Sequence, residues 1–359
     1  MNPTWSRIRT GMPSPPLLRR VEAALAARQY ATAFQLAQSL FEHPDHAVRA
    51  HALSLGARAA IELGNNAAAL QMLQLAIRLN PRLGPAWEAT GHIFLQAGNA
   101  AAAEQTLRNG VQNAPEHVPC WTALADLLEQ RGAPRQAANV MQQAYLRNPT
   151  RADLAERFIQ LLMDAAAIRL ASQALAQVLT RFPQHPKLRI LSARSHYENG
   201  DVPAAMRDLA VALSTDPKHS IARALQAQYR LHSGDIDGAL NDASIILASN
   251  PSDPNGRMIQ ARVALYQGKP DEALAHLEQI LARASKLAPD LRGDAWTRKG
   301  AALDAMGRHT DALNAYQTGQ AILATSPLAR AAEPEEYRQT VHQKPVSYTH
   351  LTLPTTPYV

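Results

Sequence analysis

The chain has 359 residues, 46% hydrophobic but only 5% aromatic, and carries a formal net charge of +6 with a pI near 9.6. The apolar content is mostly Ala and Leu, which form helices well and strands poorly, so composition points away from a sheet-rich core and towards thin, close-packed helices. No run of about 18 apolar residues is present, which excludes a membrane-spanning helix, and a single cysteine, Cys120, excludes an internal disulfide and suits a reducing, cytoplasmic compartment.

The N-terminus, "MNPTWSRIRTGMPSPPLLRR", is basic but has no apolar core behind its charges, so it is not a secretory signal. Residues 1–13 read as a basic disordered arm. From residue 14 the chain turns amphipathic, and "VEAALAARQYATAFQLAQSLFEHP" (21–44) reads as the degenerate first unit of a repeat. The stretch "GNNAAALQMLQLAIRLNP" (64–81) recurs in kind as "GAPRQAANVMQQAYLRNP" (132–149). Three series share a step of 34: the glycines Gly64, Gly98, Gly132, Gly200, Gly234 and Gly268, with Ala166 in the one missing place; the prolines from Pro81 to Pro251; and the alanines from Ala69 to Ala273. Each unit reads as two helices. The glycine ends the first, because a positive φ is the usual way out of a helix. The proline ends the second, and the alanine lets the two approach. One such pair cannot bury its own apolar face, whereas stacked pairs can.

Numbered from residue 84, one unit has Trp87 at place 4, Gly91 at place 8, Phe94 at place 11, Gly98 at place 15, Ala103 at place 20 and Pro115 at place 32. The unit from 118 has Trp121, Ala125, Leu128, Gly132, Ala137 and Pro149 at the same places. The period and these residue types resemble the tetratricopeptide repeat family. The resemblance implies an all-α superhelix, a solenoid of about nine helical hairpins over residues 14–327. After Gly268 the step stretches to Gly307, and the last unit is expected over 294–320, "DAWTRKGAALDAMGRHTDALNAYQTGQ". Residues 328–343 read as the start of a linker or capping helix. The final 344–359, "KPVSYTHLTLPTTPYV", has four Thr and three Pro but no Ala, Gly, Asp or Glu. It reads as a disordered tail that resembles translated sequencing adapter, so the gene is expected to continue past about residue 343.

The family's first helices line a concave groove, and the resemblance places Arg58, His92, Asp126, Gln160, Arg194, Gln228 and Arg262 (place 9) in it. Place 5 adds Glu88, Thr122 and Glu156, and place 13 adds Glu62, Gln96, Gln130, Asp164 and Glu198. Arg189, Arg223 and Arg257 stand at place 4 in three successive units where earlier ones have Trp. Stacked guanidiniums repel weakly. They are tolerated if acidic side chains or a bound anion sit between them, which makes them a candidate anion ladder, and the alternative is Arg stems packed over the helix pair with their heads in water. His46, His117, His185 and His219 each come two residues after a turn proline, which fits a solvated turn better than zinc, so neither metal nor cofactor is expected. No Walker loop, zinc-protease helix or nucleophile elbow occurs.

These readings imply a non-catalytic interaction scaffold and not an enzyme in its own right: a monomer that takes a protein or peptide ligand, of acidic character, in its groove. The chaperone-tail signature of the family is missing. Nucleic acid is disfavoured because Glu62, Glu88, Asp126, Glu156 and Glu198 interrupt the positive charge. The alternative rests on "AALDAMGRHTDALNAYQTGQAI" (301–322), which is similar to the final repeat of bacterial proteins that join such an arm to a sulfotransferase domain. On that reading the chain is the substrate- or partner-binding arm, with the catalytic half beyond residue 343.

Overall fold

The computed structural model describes residues 16–325, and the arm at 1–13 and the segments expected at 328–343 and 344–359 lie outside the described residues. Among the described residues there is no strand; eighteen α-helices pair into nine hairpins. In chain order these are α1 (Pro16–Ala26) with α2 (Tyr30–Gln38), α3 (His46–Glu62) with α4 (Asn66–Leu79), α5 (Gly84–Gln96) with α6 (Ala100–Asn113), and α7 (Val118–Gln130) with α8 (Pro134–Arg147). Then come α9 (Ala152–Asp164) with α10 (Ile168–Arg181), α11 (Pro186–Glu198) with α12 (Val202–Thr215), and α13 (Ser220–His232) with α14 (Ile236–Ser249). Last are α15 (Pro254–Tyr266) with α16 (Pro270–Leu281), and α17 (Pro289–Ala305) with α18 (His309–Leu323). The chain divides into two compact units. The first ends at Arg131 and takes in Asn139–Arg151, and the second comprises Gly132–Ala138 and everything described from Ala152 on.

The 34-residue series have distinct physical jobs. Gly98 leaves α5 with φ +74°, and its successor Asn99 donates its N–H back to Phe94 O at 2.9 Å, closing the helix end. Asn99 then turns its side chain forward and accepts from Ala102 N at 3.1 Å, capping α6. Asn65, Asp201 and Asp235 cap α4, α12 and α14 in the same way. One dipeptide, Gly-Asn or Gly-Asp, thus ends one helix and starts the next. Ala166 holds the same turn with φ +53° despite its Cβ. A left-handed backbone costs a non-glycine residue about 1–2 kcal/mol, partly offset by glycine's larger unfolded-state entropy. Ala166→Gly is therefore expected to stabilise the hairpin of α9 and α10 by about 0.5–1 kcal/mol, read as slower amide exchange there.

The place-20 alanines, Ala69, Ala103, Ala137, Ala171, Ala205, Ala239 and Ala273, are all 0% exposed. One turn further on, Leu73, Leu107, Leu209 and Leu277 are equally buried, each contributing about 2 kcal/mol of apolar burial. Gly91 makes room for one of them: a Cβ there would stand 2.8 Å from Leu107 Cδ2.

Two expectations need correction. The last hairpin begins not at 294 but at Pro289, because the insertion forms a short 3-10 turn (Ala284–Lys286) and adds a turn to α17. Of the turn histidines, His46 is exposed, but the other three are not simply solvated. His117 Nε2 lies 2.8 Å from Glu88 Oε2, and His185 Nε2 lies 3.4 Å from Glu156 Oε1. Both pairs are 29 residues apart and tie one first helix to the entry of the next first helix. Position 190, 29 residues before His219, is an isoleucine, and His219 instead caps α13 by accepting from Ala222 N at 3.3 Å.

Candidate functional site

The place-4 residues share one partner. Trp87 Nε1 donates to Pro81 O at 2.7 Å and Trp121 Nε1 to Pro115 O at 2.9 Å. Arg189 Nε and Arg223 Nε donate to Pro183 O and Pro217 O at 2.6 and 2.7 Å, and Arg257 Nη2 reaches Pro251 O at 3.2 Å. Arginine thus replaces tryptophan as the donor that holds the preceding turn. Its spare charge meets an aspartate of the same hairpin: Arg189 Nη1 to Asp208 Oδ1 at 2.6 Å, Arg223 Nη1 to Asp242 Oδ1 at 2.7 Å. For these two the chain's own carboxylates meet the charge. In the third hairpin the aspartate's place is taken by His276, whose imidazole is pushed down by burial and by Arg257, and Arg257 Nη1 turns to Gln260 Oε1 at 3.3 Å.

The place-5 carboxylates are likewise engaged internally, Glu88 with His117 and Glu156 with His185 and Lys187. Of the place-9 residues, Arg58, His92 and Asp126 belong to the first unit. Arg58 is half-buried; burial draws its guanidinium down against the opposing pull of Glu62, Tyr30 and Glu88. His92 and Asp126 are exposed. In the second unit Gln160 donates to Asp164 Oδ1 at 2.7 Å, and Arg194 is half-buried beside Tyr229.

Gln228 and Arg262 are brought together in an open hollow of about 280 Å³ on the face shared by α11, α13, α15 and α17. The other lining residues are Tyr197, Leu231, His232, Tyr266 and Arg298. Tyr197 stacks on the buried Tyr229 with centroids 4.0 Å apart, and His232 stands edge-on to Tyr197 at 5.9 Å. Arg262 Nη2 donates to Asp294 Oδ2 at 2.9 Å, and Arg298 Nε donates to the same oxygen at 3.1 Å. Burial opposes ionisation of Asp294, but Arg298 and Arg262 outweigh it and hold the carboxyl below its usual range. Arg298 is itself drawn down by burial and by the neighbouring Arg262, against the pull of Asp294.

His232 and Tyr266 were legible as the continuation of place 13 past Glu198, since 198, 232 and 266 keep the step of 34. Asp294 and Arg298 were not, because the insertion before α17 breaks the period. Cys120 is buried at 0% exposure, its thiol pushed up by burial and by Glu88, which suits packing and not nucleophilic chemistry. Among the described residues no three His, Cys, Asp or Glu side chains are grouped to hold a metal ion, and no helix is long and apolar enough to cross a membrane.

Three family models match: a tetratricopeptide repeat over 54–118, another over 162–229, and a tetratricopeptide repeat-like domain over 215–329. No curated protein matches the chain. Among solved structures, a tetratricopeptide repeat protein from Parabacteroides merdae aligns over 69% of this chain and 98% of its own, at 15% identity and a TM-score of 0.57. A human IFIT1 dimer with m7Gppp-AAAA aligns over 92% and 82% at 14% identity and a TM-score of 0.49. Pseudomonas aeruginosa pilF aligns over 57% and 93% at 16% identity and a TM-score of 0.44.

Proposed function

Because the chain belongs to the tetratricopeptide-repeat family, we propose that it is a non-catalytic scaffold that binds a peptide or protein partner on the faces of its first helices. One observation carries this reading. The charges at places 4 and 5 are largely spent inside the array, whereas on the face of α11, α13, α15 and α17 tyrosines and arginines converge on an open hollow. Such a surface offers aromatic area and guanidinium forks, the groups that anchor protein interfaces. Its partner is acidic, its setting cytoplasmic, and the chain acts as a monomer.

The test is selection of binders from a displayed peptide library on the full chain, then titration of the selected peptides against the Arg58→Ala/Arg194→Ala/Arg262→Ala variant. Affinity is expected to fall at least about tenfold and to weaken with salt. Unchanged affinity sinks the face assignment. The second reading, a partner-binding arm of a sulfotransferase, rests on residues 301–322. It requires a strand and a Pro-Arg-Ser-Gly-Thr-Thr-like loop in the gene beyond residue 343, and a stop codon within a few residues removes it.

A further inference from the structure

We infer that the hollow between α11, α13, α15 and α17 is a subsite for one carboxylate side chain of a peptide partner, with an apolar neighbour of that residue laid against Tyr197, Leu231 and Tyr266. The inference rests on the scaffold reading above and names what this part of the face selects.

The charge balance around Asp294 carries it. Two guanidiniums, Arg262 and Arg298, share a single carboxylate, which leaves one positive charge uncompensated in a half-buried place. A guanidinium has five N–H donors. Arg262 commits Nη2 to Asp294, its Nε is buried with no acceptor, and Arg298 commits only Nε. The Arg262 Nε is out of a ligand's reach, but Nη1 of Arg262 and both Nη nitrogens of Arg298 remain to meet an oxygen, and the Arg298 pair has the geometry that a carboxylate meets two bonds at a time. That each cation raises the cost of the other, and that Arg298 is drawn down by Arg262, has the same origin. A second carboxylate relieves it.

The size of the imbalance selects among anions. One added unit charge closes it. A phosphomonoester brings about −1.5 to −2 and overshoots beside Asp294. A nucleic-acid backbone needs a run of cations, and Glu198, next to Tyr197 on α11, interrupts one here. The walls supply the rest. Tyr266 is 64% exposed, and the Tyr197 ring is fixed by its stack on Tyr229. Both present aromatic surface at low entropic cost, suited to an apolar residue next to the acidic one.

The experiment uses the full chain and a fluorescein-labelled peptide of alternating Glu and Leu, with the Gln–Leu peptide, a phosphoserine–Leu peptide and a single-stranded RNA oligonucleotide as comparisons, read by fluorescence anisotropy. The Glu peptide is expected to bind at least about tenfold more tightly than the Gln peptide. Arg262→Gln, which leaves Arg298 to satisfy Asp294, is expected to weaken the Glu peptide about tenfold. Asp294→Asn, which removes the competing negative charge, is expected to tighten it by a similar factor. Opposite directions from neighbouring substitutions separate recognition from a mere loss of structure, and circular dichroism of both variants checks that the helices persist. Equal binding of Glu and Gln peptides, no binding of the Glu peptide in the micromolar range, or both variants moving the same way overturns the inference. So does tighter binding of the phosphoserine peptide or of the RNA. If the library-selected peptides still depend on Arg58, Arg194 and Arg262 while the Glu preference is absent, the scaffold reading stands and the subsite alone fails.

Discussion

Replacing Asp242 with alanine is expected to cost about 3 kcal/mol, read as a loss of amide-exchange protection through α13 and α14. The aspartate is 0% exposed, and its two oxygens accept from Arg223 Nη1 and Arg230 Nη1, each at 2.7 Å. Burial pushes its carboxyl up even against the hydrogen bonds and charges of Arg223 and Arg230. The ion pair is therefore no free source of stability, since desolvation offsets much of the attraction. Removing one partner is a different matter: it strands charge in the interior, typically at about 3–5 kcal/mol, and the partial exposure of both arginines puts this case at the low end. Exchange is the right readout because stacked hairpins open locally and one global midpoint would average the effect away. Asp208→Ala is expected to cost less. Its second partner is His196 at 3.6 Å in place of an arginine. The triple swap Arg223→Trp, Arg230→Leu and Asp242→Val tests the reason for the network. It restores the pattern of the unit from 118, where Trp121 holds the turn, Leu128 stands at the place of Arg230 and Val140 at the aspartate's place. Most of the lost protection should return.

Gly84→Ala is expected to cost about 3 kcal/mol in the hairpins of α5 to α7. A Cβ on residue 84 would stand 2.2 Å from both Cβ and Cγ of His117. Those atoms sit next to the backbone, so the histidine cannot swing away as a long side chain's tip does, and overpacking of a tight site typically costs about 1–3 kcal/mol. Moving His117 also breaks its 2.8 Å contact with Glu88, which is largely buried on both sides. The double variant Gly84→Ala/His117→Gly removes the collision and should recover the packing share but not the Glu88 contact. Gly98→Ala is the contrast. Nothing lies within 4 Å of its would-be Cβ, and only its φ of +74° is strained, so about 1 kcal/mol is expected. Equal costs at Gly84 and Gly98 would mean that close approach is not what residue 84 provides.

The fold was legible because its determinants repeat. A turn that needs a positive φ, a helix that must stop and a gap that admits only alanine recur every 34 residues, and the structure puts Gly98, the turn after α6 and Ala103 where that logic requires. What the period could not reveal is how one place trades with another. That Arg223 stands in for tryptophan, and that this calls for an aspartate at Asp242, is a relation between two helices 19 residues apart and not a property of either series. The proposed binding residues were the least legible part. Place 9 picks out one side of each first helix, but polar residues on an amphipathic helix look alike whether they meet water or a partner. The hollow depends on neighbours at places 12 and 13 and on Asp294 and Arg298, which lie past an insertion that shifts the register.

The most direct test of a binding array that works through its first helices is hydrogen–deuterium exchange of the full chain with and without a saturating library-selected peptide. New protection is expected in α11, α13, α15 and α17, strongest around Tyr197, Arg262 and Tyr266, with α12, α14 and α16 unchanged. Protection confined to the second helices, or absent while the peptide is bound, is incompatible with such an array.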